Sequence, residues 1–220
     1  VAQGQIRCEQ VTTPEPTPGK VLVRTELASI CGSDLHVVHS EWKTDEFPLP
    51  PGAPGHEGIG RVVDGGGTEF AEGALVLTVP KIWEAKTFAG YQLIEAEQLL
   101  EPQPNKPQAH LLMAQQLGTV LFACRLLPHL EGATVVVIGQ GTAGLFHDFM
   151  LRRLGAHTII AIDPIAARLV TAKAMGVDEV VDVTGVRANE AVLDLTGGIG
   201  ADVVIEAVGS VETLNQTLEL

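Results

Sequence analysis

The stretch that most constrains this chain is residues 134–163, TVVVIGQGTAGLFHDFMLRRLGAHTIIAID. Val135, Val136, Val137 and Ile138 form a short β-branched run, the pattern of a strand buried on both faces. Gly139, Gly141 and Gly144 follow at the spacing GxGxxG, and a helical pattern runs from Thr142 to Leu154. A second apolar run, Thr158 to Ile162, ends in Asp163. Strand, glycine turn, helix, strand and terminal acid, in that order, are the parts of a dinucleotide-binding unit.

Each part has its own physical reason. Gly139 permits the tight turn off the strand, Gly141 lets a pyrophosphate approach the backbone, and Gly144 lets the helix pack close to the strand. Thr142 and Ala143 open the helix, where unpaired N–H groups and the positive end of the dipole suit phosphate. Asp163 stands about 20 residues beyond the glycines, where a carboxylate accepts hydrogen bonds from a ribose hydroxyl. The same charge repels a 2′-phosphate, so NAD is expected over NADP. A bare GxGxxG is also consistent with an ordinary turn; here the flanking strands, helix and acid all agree with the nucleotide reading.

Beyond Asp163 the alternation continues. A helix is predicted over Ile165–Met175, closing at Gly176, then a strand over Glu179–Val183 and a helix over Val186–Leu195. A further strand, Ala201–Ala207, is followed by the turn Val208-Gly209-Ser210 into a new helix. This pattern predicts a parallel sheet with right-handed crossovers, its strands ordered 3-2-1-4. A doubly wound dinucleotide sheet usually has about six strands, so the chain reads as a truncated form or a shortened natural variant, with an incomplete sheet.

Residues 1–100 have a different texture. Lys20–Ala28 alternates apolar and polar residues like a half-buried strand. Gly58–Val63, Ala74–Val79 and Tyr91–Ile94 are further short strands, and Gly65–Gly67 reads as a hairpin turn because no helix follows it. Short strands with Gly/Pro turns predict a compact β domain. After Glu101-Pro102-Gln103-Pro104 the pattern becomes helical from Pro107 to Leu127, with Gly118 as its weak point. A boundary near residue 110 divides the chain into 1–110 and 111–220.

The formal net charge of −13, with no basic patch, argues against a nucleic-acid partner. No apolar run is long enough to span a membrane, and the start VAQGQIRCEQ lacks a signal-peptide pattern. Cys8, Cys31 and Cys124 show no paired spacing, so a reducing, cytoplasmic setting is expected. Cys8 and Cys124 read as buried thiols. Trp42 and Trp83 read as core aromatics or, less commonly, as the lining of a substrate pocket.

A second chemical constellation lies in the β-rich half: residues 31–36 read CGSDLH and residues 55–58 read GHEG. Cys31 and His56 are ligand types that zinc prefers, and Glu57 adds a carboxylate. Taken alone, they also fit a polar turn around a buried cysteine, with Ser33 and His36 simply capping a helix after it.

Together, CGSDLH, GHE and GxGxxG in this order resemble the zinc-dependent medium-chain alcohol dehydrogenase family, in its polyol and secondary-alcohol branch, over nearly the whole chain. The resemblance implies an α/β protein, an N-terminal GroES-like β domain followed by a partial Rossmann doubly wound parallel sheet. It implies catalytic zinc on Cys31 and His56, with Glu57 beside it. It implies Ser33 as acceptor of the substrate hydroxyl proton, His36 as the next proton carrier, and Asp34 as the residue orienting a metal-bound histidine. Gly139, Gly141, Thr142, Ala143, Gly144 and Asp163 would hold NAD, with Val208 and Gly209 near its nicotinamide end.

The implied activity is hydride transfer between NAD and a small-molecule alcohol or carbonyl substrate, assisted by zinc as a Lewis acid, in a chain that can form a homo-oligomer. The alternatives are a zinc-free member reducing a carbonyl or activated alkene, and a nucleotide-binding protein without catalysis. The family usually supplies a third metal ligand where Gln115 stands here. A neutral amide is a poor zinc ligand, so either Glu57 becomes the third ligand or the site is weak or empty. The segment PKIWEAKTFAG contains no cysteine, so a second, structural zinc is not expected.

Overall fold

Val21, Leu22 and Val23 are all buried, so the start of the first strand is covered on both faces rather than half-buried as its alternation suggests, and it seeds an antiparallel sheet. In this computed structural model, which describes residues 3–39, 47–103, 105–184 and 187–220, the chain separates into two units, Val1–Gln115 and Gln116–Leu220. Trp42 and Val186 lie outside the described residues.

The first unit contains β1 (Lys20–Ser29), α1 (Gly32–Val38), β2 (Glu57–Asp64), β3 (Leu75–Thr78), β4 (Tyr91–Glu95) and β5 (Leu99–Leu100). Its sheet runs β4-β1-β2-β3-β5, antiparallel throughout. Val21, Val23, Val62, Phe70, Val76, Ile94 and Leu99 form its core. The β1–β2 register shifts twice, between Leu22 and Val23 and between Thr25 and Leu27, and then pairs Ser29 with Glu57. Such irregularities re-aim side chains at the end of a ladder. Here they bring the segment leading to Cys31 alongside the one that starts at His56.

The single helix expected over 107–127 is two helices, α2 (Gln108–Leu112) and α3 (Ala114–Cys124). The break falls at Met113, whose φ of −63° and ψ of −16° tighten the turn, while Leu112 packs against Ile59 and Leu77. Gly118 does not interrupt α3.

The second unit contains β6 (Thr134–Ile138), α4 (Thr142–Arg153), β7 (Thr158–Asp163), α5 (Ala166–Met175), β8 (Glu179–Asp182), α6 (Ala188–Leu195), β9 (Val203–Glu206) and α7 (Val211–Gln216). Its parallel sheet runs β8-β7-β6-β9, the 3-2-1-4 order expected. The apolar runs are buried on both faces, as continuous β-branched sequence requires. Val135 and Val137 pack with Leu151, Ile159, Ala161 and Ala172, the face covered by α4 and α5. Val136 and Ile138 pack with Ile160, Ile162, Val181 and Val192, the face covered by α6. Gly176 ends α5 in the left-handed conformation, φ 101°, where a glycine avoids the Cβ clash.

Two burial expectations are corrected. Trp83 is 64% exposed, so it is not a core aromatic. Cys8 is exposed, whereas Cys124 is buried. No helix among the described residues is long and apolar enough to cross a membrane.

Candidate functional site

In the first unit, one buried carboxylate ties two distant segments together. Cys31 is the N-cap of α1, and its backbone N–H donates to Asp34 Oδ2 at 2.8 Å. The other oxygen, Asp34 Oδ1, accepts from His56 Nδ1 at 3.0 Å. Asp34 is only 2% exposed, so satisfying both oxygens offsets the cost of burying its charge. The bond to Nδ1 orients the ring and leaves Nε2 as its second nitrogen, 3.5 Å from Ser33 Oγ and 4.0 Å from Glu57 Oε1.

Ligand atoms of Cys31, His56 and Glu57 all lie within 4.8 Å of one another. One thiol, one imidazole and one carboxylate at that spacing fit a zinc ion, whose bonds to such atoms run about 2.0–2.3 Å. Their electrostatics agree. The hydrogen bond from His56 draws the Cys31 thiol below its ordinary range. Asp34 first, and Cys31 second, hold the His56 proton up to about 10. A thiolate is the form of cysteine that binds a metal, and a metal ion would take the place of the imidazolium proton. Glu57 is buried, and the Ser29 hydroxyl donates to its Oε2. Ser33 and His36 are half-buried, one helical turn apart on α1, so they share a face. Gln115, the second residue of α3, is half-buried.

In the second unit, Gly139 has φ 91°, a conformation that favours glycine. A Cβ on Gly144 would lie 1.9 Å from Gly139 O, so α4 sits directly against the turn from β6. A Cβ on Gly141, the N-cap of α4, would meet nothing within 4 Å. That open space lies where Thr142 and Ala143 begin the helix. A Cβ on Gly139 would come 2.5 Å from Val208 Cγ2, so the turns after β6 and β9 are adjacent. Val208 and Gly209 donate their N–H groups to Glu206 Oε1 at 2.8 and 3.0 Å.

Asp163 ends β7, 2% exposed. Its Oδ2 accepts from Gln140 N–H at 2.7 Å and its Oδ1 from Ile165 N–H at 2.8 Å, with Arg168 Nη1 3.4 Å from Oδ2. The acid thus clamps the glycine turn to the end of the next strand, a structural task added to the ribose contact expected of it.

Four participants were missed in the sequence. Ser29 carries no motif and is identified only by strand register. Arg168 gave a signal, a cation on the first turn of the helix after the acid. Gln140, within the glycine motif, is fully buried, its Nε2 donating to Val137 O at 3.2 Å and its Oε1 without a partner. Asp148, on α4, is fully buried with neither carboxylate oxygen hydrogen-bonded, and burial pushes its carboxyl up to about 7.

Two family profiles match this chain: an "Alcohol dehydrogenase GroES-like domain" over residues 17–99 and a "Zinc-binding dehydrogenase" over residues 144–220. An L-threonine 3-dehydrogenase of Pyrococcus furiosus is 29% identical, over 96% of this chain and 68% of that protein. An erythritol/L-threitol dehydrogenase of Mycolicibacterium smegmatis is 28% identical, over 97% of this chain and 70% of that protein. Among solved structures, an alcohol dehydrogenase from Thermus sp. ATN1 superposes with a TM-score of 0.80 at 27% identity, covering 99% of this chain and 72% of its own. A zinc-binding dehydrogenase from Sinorhizobium meliloti bound to NADP gives a TM-score of 0.84 at 29% identity, covering 100% and 71%.

Proposed function

This chain belongs to the zinc-type medium-chain alcohol dehydrogenase family of oxidoreductases, and on that premise we propose that it transfers hydride between NAD and a small secondary alcohol or polyol at a single zinc site. The observation that carries the reading is the cluster of Cys31, His56 and Glu57 ligand atoms within 4.8 Å, with Asp34 behind His56. Cys31, His56 and Glu57 would hold the metal. Zinc, when bound, supplies Lewis acidity that polarises the substrate oxygen.

The remaining work falls to the chain's own side chains. Asp34 holds His56 through Nδ1, keeping Nε2 for the metal. Ser33 Oγ receives the substrate hydroxyl proton, and His36, on the same face of α1, carries it onward. The amides at the start of α4 and the open space over Gly141 receive the pyrophosphate. The Asp163 carboxylate supports NAD over NADP by repelling a 2′-phosphate, and Arg168 beside it tempers that preference. Val208 and Gly209, next to the Gly139 turn, flank the nicotinamide end.

The test combines metal analysis with turnover. Protein purified without chelator is expected to carry about one zinc per chain and to reduce NAD faster than NADP with a panel of secondary alcohols and polyols. Turnover of carbonyls or activated alkenes by zinc-free protein would replace this reading with the metal-independent one. Tight NAD binding with no turnover on any substrate would leave a binding protein.

A further inference from the structure

The segment from Ser29 to Asp34 supplies more than the ligand Cys31. Asp34 orients His56 from one side of that cysteine. On the other side, two residues before it, Ser29 is the cross-strand partner of Glu57, and its hydroxyl donates to Glu57 Oε2. The other oxygen, Oε1, lies 4.0 Å from His56 Nε2. Each ligand carried by the His56-Glu57 pair therefore has its own hydrogen-bond partner in the Cys31 segment. Glu57 is 3% exposed, and a carboxylate so buried needs both oxygens satisfied. A hydroxyl on one and a metal on the other would meet that need.

We propose that Ser29 is a positioning residue, whose hydroxyl holds Glu57 Oε2 so that Oε1 is presented to the metal as the third protein ligand beside Cys31 and His56. Strand register provides the precision. Directly opposed residues of an antiparallel pair have Cβ atoms about 4.5–5.5 Å apart, within reach of a serine hydroxyl and a glutamate carboxylate. With Ser29 in place the carboxylate has one favoured rotamer. Without it the carboxylate can rotate away, and the metal keeps only Cys31 and His56 as fixed protein ligands.

This inference rests on the zinc reading, and the experiment separates the two. Zinc release from the wild-type protein, Ser29→Ala and Ser29→Thr is followed with a chromophoric chelator, and visible spectra are recorded on the cobalt(II)-substituted forms. Ser29→Ala is expected to weaken metal binding about 10–100-fold and to change the cobalt bands, while Ser29→Thr, which keeps a hydroxyl, stays close to wild type. In a Glu57→Gln background the Ser29→Ala effect is expected to vanish, a coupling that a purely structural role would not produce. Circular dichroism of the metal-free variants checks that they fold. Should Ser29→Ala not fold, the cycle is run with Ser29→Gly. A wild-type protein that binds no zinc would overturn the zinc reading. A zinc-binding wild type with unchanged affinity and cobalt spectrum in Ser29→Ala would overturn the Ser29 role alone. Equal losses in the alanine and threonine variants would overturn it as well, by assigning the effect to packing.

Discussion

Asp148 carries a consequence for pH. It places a carboxyl, fully buried, on α4, the helix that packs against β6 and β7. Nearby cations are engaged elsewhere: Arg152 bonds Gly176 O and Asp178, and Arg153 lies over the Phe149 ring. Burial raises the Asp148 carboxyl from 3.8 to about 7. The folded state therefore holds a proton that the unfolded chain has released. The stabilisation by the neutral acid is complete below about pH 4, declines as pH rises towards 7, and is absent above that. The change attributable to this residue between low and high pH is on the order of 4 kcal/mol. Urea unfolding of wild type and Asp148→Asn at pH 5 and pH 8 tests it. The asparagine variant is expected to gain on wild type as pH rises, and a difference that stays constant between the two pH values would remove Asp148 from this account. Asp163 contrasts with it. That acid is equally buried, yet two backbone N–H groups meet its oxygens, so its burial is compensated.

At the scale of elements, two glycines in helices have opposite meanings. Gly144 lets α4 touch the β6 turn, and a Cβ there would meet backbone at 1.9 Å. Backbone cannot give way as the far end of a side chain can, so Gly144→Ala is expected to lower stability by about 2 kcal/mol or more and to weaken nucleotide binding by displacing the helix start. Gly118 lies inside α3, with open space where its Cβ would be. Gly118→Ala is expected to stabilise by about 0.5–1 kcal/mol through helix propensity. Thermal unfolding of both variants, with a fluorescence titration of reduced nicotinamide cofactor, checks the pair; equal effects would break the argument. The β1–β2 ladder acts similarly in the first unit, where register rather than any single contact aligns Ser29 with Glu57.

At the scale of the whole molecule, each unit has its own core and would bind its own ligand. Zinc would add stability to the unit carrying Cys31, and NAD to the unit carrying the glycine turn. A ligand present at a hundred times its Kd contributes about 2.7 kcal/mol. Calorimetry is expected to show that a chelator lowers one unfolding transition and NAD raises the other. A chelator that leaves every transition in place would argue against bound zinc. The net charge of −13 sits with a small-molecule substrate rather than a polyanionic partner. The chain spans about two thirds of the length of the relatives it matches.

Short-range pattern carried much of this protein's architecture. Continuous β-branched runs such as Val135–Ile138 mark strands buried on both sides, the GxGxxG spacing marks the turn, and alternation of strand and helix marks a parallel sheet with right-handed crossovers, whose 3-2-1-4 order is that of the dinucleotide-binding unit the glycine motif points to. CGSDLH and GHEG carry residue types that zinc prefers. The tertiary structure decided what depends on distant pairing. Two register irregularities in β1 bring Ser29 opposite Glu57, a match that no local periodicity encodes. Packing of Leu112 accompanies the division of one expected helix into two. Which polar residues are buried was equally hidden: Asp148 looks like a solvated helix residue until α4 is laid on the sheet, and Trp83 looks like core until its surroundings are known. Periodicity reports which face of an element is apolar, but only the packed fold determines what meets that face, and burial with hydrogen-bond partners sets the chemistry of a carboxyl or a thiol.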